Sequence, residues 1–185
     1  MTDTLGPVLR TARLVLRPYT RDDVEAAFRW ATSPDFSRFT PLPSPYTRNH
    51  AEEHVAAVLA RDPEGHPTFA ITLDGGFAIG DVSLHLEPDR RRGELGYGLG
   101  HEWWSRGYMA EAAGAVVLWA FETLAVEKIE ARTDARNLGS WRVMEKVGMV
   151  REGLLRRHRF FSGEAADELR YGILREEVLA ARGQA

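Results

Sequence analysis

The chain has 185 residues, 44% of them hydrophobic and 28% charged, with a formal net charge of −3. That length and balance suit an ordinary globular protein, read as one domain over residues 1–185. The acidic balance argues against a nucleic-acid binder, and the absence of cysteine removes disulfides, thiolate metal sites and cysteine nucleophiles. From Arg13 to Arg17 polar and apolar residues alternate and stop at Pro18, which predicts a first strand. Thr20 to Asp23 reads as a capped helix start, with Val24, Ala27, Phe28 and Ala31 at helical spacing behind it. Ser33 to Pro45 holds four prolines and reads as a loop. A second helix follows, with Asn49 and Glu52 placed for a capping box, and Val55, Val58 and Leu59 as its apolar face. It should stop near Asp62 and Pro63.

The period then changes to that of strands. Thr68 to Leu73, a turn at Asp74-Gly75-Gly76 and Phe77 to Leu86 form a predicted hairpin, and Glu94 to Leu99 a third antiparallel strand. A helix after Gly107 is apolar on nearly every side from Ala112 to Phe121, too short a run to span a bilayer. No signal-peptide pattern opens the chain, so a cytoplasmic protein without a membrane partner is expected. Lys128 to Thr133 is the next strand, and the helical crossover predicts parallel pairing with the Glu94 strand. A short helix from Ser140 to Lys146 ends at Gly148, a left-handed cap. Two last strands, Met149 to Phe161 and Glu168 to Arg175, flank a turn at Ser162-Gly163. The class is α+β, with a mixed, mostly antiparallel sheet of about seven strands flanked by about four helices.

Glu94 to Ala113 is the segment richest in chemistry. A strand breaks at glycine, a short loop follows, and a helix begins near Gly107 with Arg106 beside it. The first N–H groups of such a helix lack partners and form an anion site. Gly96, Gly98 and Gly100 share a strand face with Glu94, while Leu95, Tyr97 and Leu99 take the other. Glycines in a strand let another backbone or an extended ligand come close, or mark a bulge. If the strand splays from its parallel neighbour, its free amides can bond a linear amide-bearing ligand. Amides at one end and a pyrophosphate at the other describe coenzyme A.

Trp104-Ser-Arg-Gly-Tyr-Met109 resembles the Q/R-x-x-G-x-G/A phosphate-binding signature of the GNAT acetyltransferases. Glu94 to Leu99 and Asn137 to Met149 resemble the RimJ/RimL branch, which acetylates ribosomal-protein N-termini. The resemblance runs from Leu14 to Glu176 and implies the GNAT fold with acetyl-CoA as acyl donor. It implies that the backbone at Tyr97, Gly98 and Leu99 holds pantetheine and polarises the acetyl carbonyl. Ser105, Arg106, Gly107, Tyr108, Met109 and Ala110 match the pyrophosphate loop, and Asn137 the asparagine that bonds the pantetheine arm. Trp104 and Met109 depart from the signature at positions that act chiefly through backbone. Where many relatives carry a general-acid tyrosine this chain has Met144, and Ser140 is the substitute.

Acetyl transfer needs an amine freed of its proton, a polarised carbonyl and a donor for the departing thiolate. An α-amine has a reference pKa of about 8, so a carboxylate acting through water suffices as base. Glu94 is the candidate base or amine binder, with simple pairing to Arg92 as the alternative; Glu130 is a weaker candidate. Ser140 is candidate acid or merely a helix cap. The histidines show no metal-ligand spacing, and no metal is expected. Trp103 and Trp104 read as core packing, with a wall for the acyl or adenine side as the alternative. Arg156, Arg157, His158 and Arg159 form a solvated strand face or a lure for an acidic peptide. Phe36, Phe39 and Tyr46 of the proline-rich segment are expected to line the acceptor groove.

The expected activity is direct acetyl transfer to a primary amine, first of all a protein or peptide N-terminal α-amine, with an acidic N-terminus as one candidate partner. A small amine (aminoglycoside, polyamine or amino acid) is the alternative acceptor. Met144 motivates a further alternative, a non-catalytic acyl-CoA-binding domain. A nucleotide-binding module would leave the glycine-spaced strand unexplained. The resemblance, with Phe160 and Phe161, also points to a homodimer.

Overall fold

Alternating apolar residues build a sheet whose two faces are covered by different helices. The computed structural model describes residues 6–40, 42–161 and 164–183. In chain order the elements are β1 (Leu9–Arg10), β2 (Val15–Pro18), α1 (Val24–Ala31), α2 (Pro34–Ser37), α3 (Arg48–Leu59), β3 (Thr68–Thr72), β4 (Ala78–Leu86) and β5 (Arg92–Leu99). Then come α4 (Tyr108–Thr123), β6 (Lys128–Asp134), α5 (Leu138–Val147), β7 (Val150–Phe161), β8 (Glu164–Leu174) and α6 (Arg175–Gly183). The strands form one sheet in the order β1-β2-β3-β4-β5-β6-β8-β7. All neighbours pair antiparallel except β5 and β6, whose parallel pairing covers only Arg92–Glu94 against Lys128–Glu130.

Several expectations shift in detail. Eight strands and six α-helices appear among the described residues, because β1 adds a short edge hairpin, α2 is a single turn inside the proline-rich segment, and α6 follows β8. The strand expected from Arg13 begins at Val15, as β2. The cap of α3 is Thr47, not Asn49 with Glu52: Thr47 Oγ1 accepts from the His50 N–H at 3.4 Å, and His50 Nδ1 accepts from the Thr47 N–H at 3.1 Å. Histidine takes the place of glutamate in the reciprocal box, which hides the motif from a pattern search. The buried stripe of α1 runs through Ala27, Trp30 and Ala31, leaving Val24 and Phe28 half-buried at its margins. α5 starts at Leu138 and ends, as the glycine predicts, at Gly148 with φ +95°. The expected turn at Ser162-Gly163, Pro41 and the Phe161 side chain lie outside the described residues.

One face of the sheet packs on α4 and α5. Val116, Ala120 and Phe121 are fully buried there with Leu84, Ile129 and Met144. No residue between Ala112 and Ala120 is exposed, which explains the all-round apolar character of α4. Each large apolar side chain buried there contributes about 2 kcal/mol. The other face carries α1 and α3, with Tyr19, Trp30, Phe36 and Val55 at its centre. No helix among the described residues is long and apolar enough to cross a membrane.

Candidate active site

After Glu94 the two parallel strands part. β5 continues to Leu99 with β4, while β6 continues to Asp134 with β8, so a notch opens between them. The strand edges facing the notch carry backbone amides without a strand partner. One of these groups is already engaged, since the Trp104 indole Nε1 donates to Leu99 O at 2.6 Å. Beyond the notch lies α5, whose cap Asn137 accepts from the Ser140 N–H through Oδ1 at 3.2 Å. Tyr97 reaches from β5 to α5: its hydroxyl lies 3.0 Å from both Ser140 O and Ser140 Oγ. Burial pushes the Tyr97 phenol up to about 12 against the smaller, opposing effect of its Ser140 hydrogen bond, so it stays neutral near neutral pH.

The mouth of α4 adjoins the notch. Gly107, the N-cap, has φ +79°, and Ser105 just before it has φ +60°. Left-handed residues in such turns build backbone concavities that take anions. The first intrahelical bond of α4 runs from the Glu111 N–H to Gly107 O at 3.1 Å, leaving the N–H groups of Tyr108, Met109 and Ala110 without an intrahelical acceptor. Arg13 ties this loop down. Its Nη1 donates to Arg106 O at 3.0 Å, its Nε to Glu111 Oε2 at 2.7 Å, and its guanidinium lies 4.6 Å from the Tyr108 ring centroid. Partial burial works to raise the Glu111 carboxyl, but hydrogen bonds from Thr11 and Arg13 outweigh it and hold that group below its ordinary value. The Arg106 guanidinium sits 5.4 Å from the Trp103 ring centroid. Two cations therefore flank the helix mouth. Only Arg106 is singled out by the sequence, because Arg13 comes from a distant edge hairpin and carries no local signal. A parted strand edge beside a left-handed, arginine-flanked helix start fits a linear ligand with amides and a pyrophosphate.

The opposite face of β5 uses its glycines unequally. A Cβ on Gly98 would stand 2.8 Å from Phe36 Cζ, and one on Gly100 would stand 2.9 Å from Trp30 Cβ. Here aromatic side chains make the close approach, rather than another backbone. Gly96 is exposed, and the nearest atom to such a Cβ is the Ser83 hydroxyl at 3.1 Å. Glu94 shares this face and pairs with Arg132, Nε to Oε1 at 2.7 Å, not with Arg92, which pairs with Glu87 at 2.6 Å. The neighbouring strand supplies the nearer cation. Glu130 is paired with Lys128 at 2.8 Å. Glu94 and Ser140 thus lie on opposite faces of β5, with Tyr97, Gly98 and Leu99 between them.

Sequence reasoning passed over a polar cluster on the Glu94 face. Asp81 stands opposite Gly98 in the ladder, accepts from the Tyr19 hydroxyl through Oδ2 at 3.0 Å, and has His54 Nε2 at 3.7 Å. Burial, then the nearby Asp81 charge, raise the phenols of Tyr19 and Tyr46 above their ordinary values. Met144 is 2% exposed and belongs to the apolar core. Trp104 is 40% exposed and Trp103 is half-buried against the core. Arg156, Arg157 and His158 are exposed on the edge strand β7 and Arg159 is half-buried; Arg157 adopts φ +49° and the ladder there is irregular. No group of three or more metal-ligating side chains is assembled among the described residues.

Residues 13–150 match the family described as Acetyltransferase (GNAT) domain. The Bacillus subtilis uncharacterized N-acetyltransferase YoaA is 30% identical over 172 residues, covering 91% of this chain and 97% of its own length. Among solved structures, an acetyltransferase of the GNAT family from Bacillus anthracis superposes with a TM-score of 0.82 at 26% identity, covering 92% of this chain and 99% of its own. RimL, described as a ribosomal L7/L12 alpha-N-protein acetyltransferase in complex with coenzyme A, superposes with a TM-score of 0.79 at 16% identity. It covers 91% of this chain and 98% of its own, a likeness of fold.

Proposed function

Because the chain belongs to the GNAT acetyltransferase family, we propose that it transfers acetyl from acetyl-CoA directly to the α-amine of a protein or peptide N-terminus. The observation that carries this reading is the parting of β5 from β6 beside the left-handed mouth of α4. Acetyl-CoA supplies an activated thioester: the amine nitrogen bonds to the carbonyl carbon, the carbon–sulfur bond breaks, and the thiolate leaves with a proton. The parted edge of Tyr97, Gly98 and Leu99 holds the pantetheine amides and donates to the developing oxyanion. The N–H groups of Ser105 to Ala110, with Arg106, hold the pyrophosphate. Asn137, whose Oδ1 caps α5, keeps its amide N–H2 for the pantetheine arm.

Proton traffic divides between the two faces of β5. Glu94, half exposed beside Arg132, takes the amine proton through water. Ser140 protonates the thiolate. The Tyr97 hydroxyl gives its one proton to Ser140 O, so Ser140 Oγ–H donates to the Tyr97 oxygen and turns from there to the sulfur. The exposed cations of β7 favour acidic peptides over polycationic amines. Phe160, 78% exposed on the edge strand β7, supports that edge as the contact of a homodimer.

A panel of peptides and small amines with mass detection tests the activity. The expected result is a gain of one acetyl group on peptide α-amines, and the absence of any acetylated product would overturn the reading. Glu94→Gln should lower turnover near neutral pH by about a hundredfold, the scale of general-base catalysis, while sparing acetyl-CoA affinity. An unchanged pH–rate profile would remove Glu94 as base.

A further inference from the structure

We infer that Asp81 is the anchor for the protonated amine of the acceptor, an inference that rests on the acetyl-transfer reading above. Carboxylates shielded from solvent in this fold are matched to a strong cation. Asp23 pairs with Arg17 at 2.7 Å, Glu111 with Arg13 at 2.7 Å, Asp134 with Arg136 at 2.8 Å and Glu168 with Arg170 at 2.6 Å. Asp81 breaks the pattern. Its side chain is 17% exposed, yet no lysine or arginine among the described residues pairs with it, and His54 Nε2 stays at 3.7 Å, outside hydrogen-bond range. The Tyr19 hydroxyl donates to Asp81 at 3.0 Å, and with no lysine or arginine paired to it the carboxylate can still take a cationic partner.

The surroundings specify what kind of cation fits. Trp30 and Phe36 pack with ring centroids 4.9 Å apart, and Trp30 meets His54 edge-on at 6.2 Å. Aromatic walls around a carboxylate favour an organic ammonium. Trp30 is 7% exposed, and its indole Nε1 has no hydrogen-bond partner among the described residues; the same holds for His54 Nε2. Two polar atoms without a hydrogen-bond partner thus lie in the aromatic cluster that borders the carboxylate. The location fits as well. Asp81 is the cross-strand partner of Gly98, and a Cβ built there would meet both Phe36 Cζ at 2.8 Å and Asp81 Oδ1 at 3.4 Å. Paired residues in such a ladder lie about 5 Å apart. An ammonium on Asp81 is therefore delivered to the stretch of β5 that holds the acetyl carbonyl. Loss of its proton, through water to Glu94 as above, frees the amine to attack there.

The test uses the CoA-loaded and the free protein, with n-butylammonium chloride and n-butanol as probes. The readout is the Trp30 indole N–H signal in a proton–nitrogen correlation spectrum, assigned by its loss in Trp30→Phe. The expected result is saturable displacement by n-butylammonium and none by n-butanol. In Asp81→Asn the ammonium affinity should drop at least about tenfold, as when a charge-assisted hydrogen bond is lost, with CoA affinity and circular dichroism unchanged. The proposal is overturned if the alcohol binds as well as the ammonium, or if neither probe binds the parent protein. Equal ammonium affinity in Asp81→Asn also overturns it. Ammonium binding without CoA binding would instead overturn the acetyl-transfer reading alone.

Discussion

The two sides of β5 are built by different means. The notch side is made of backbone: a strand edge without a partner, a left-handed N-cap at Gly107 and the first N–H groups of α4. The glycine side is made of side chains, with Phe36, Trp30, Tyr19, His54 and Asp81 converging from α2, α1, the segment before α1, α3 and β4. Backbone recognition suits a constant ligand, because amides and helix ends tolerate many side chains. Side-chain recognition suits a variable one, since each substitution reshapes the groove. The division matches an unvarying acetyl donor on one side and a specific acceptor amine on the other.

The sharpest way to break that division is to fill one glycine. Gly98→Ala should push Phe36 from its seat, cost about 1–3 kcal/mol of stability as overpacking does, and impair acceptor turnover while acetyl-CoA still binds. Gly96→Ala, facing only a rotatable serine hydroxyl, should stay within about 0.5 kcal/mol of the parent. Urea unfolding with parallel acetyl-CoA titrations checks both. Equal effects at the two positions would show that the glycine face is not divided as described.

Asn137→Asp sharpens the notch side. The carboxylate can still accept from the Ser140 N–H and cap α5, but it removes the amide donor. Melting temperature should hold while acetyl-CoA affinity falls about tenfold, or about 1.4 kcal/mol. A lower melting temperature with unchanged affinity would reduce Asn137 to a cap.

Tyr97→Phe sits on the boundary and should cost about 1–2 kcal/mol of stability for its lost hydrogen bonds to Ser140, with only a few-fold loss of turnover. It also has a pH signature. The Tyr97 phenol is pushed up to about 12 by burial. Folding therefore favours its protonated form. That stability is complete below the unfolded value of about 10 and is lost as pH rises toward about 12. The parent should weaken across that window in urea titrations, and the phenylalanine variant should weaken less. Tyr19, also raised by burial, leaves a residual slope.

How much could be read from the sequence follows the same division. The succession of most strands and helices along the chain, the parallel crossover, the αL cap at Gly148 and the helix start near Gly107 are local patterns, and the residues announce them. The glycine face is not local. Asp81 is an ordinary polar residue on an alternating strand until Tyr19 and His54 arrive from elsewhere in the chain. Arg13 gains a role only when an edge hairpin meets the start of α4. The pairing of Glu94 with Arg132 rather than Arg92 depends on the register of the parallel ladder, which periodicity does not reveal. Similarly, Phe36 closes on Gly98 in β5 and Trp30 on Gly100 just after it, where spacing alone left backbone, ligand and bulge equally open.

Calorimetric titration of acetyl-CoA into the parent protein and into Gly107→Val is the most direct test of the account. The left-handed N-cap disfavours a β-branched residue, so the variant should distort the helix mouth. The account predicts one acetyl-CoA site per chain in the parent, weakened about tenfold or more in the variant, on the scale of lost charge-assisted hydrogen bonds. No binding by the parent, or equal binding by both, would contradict it.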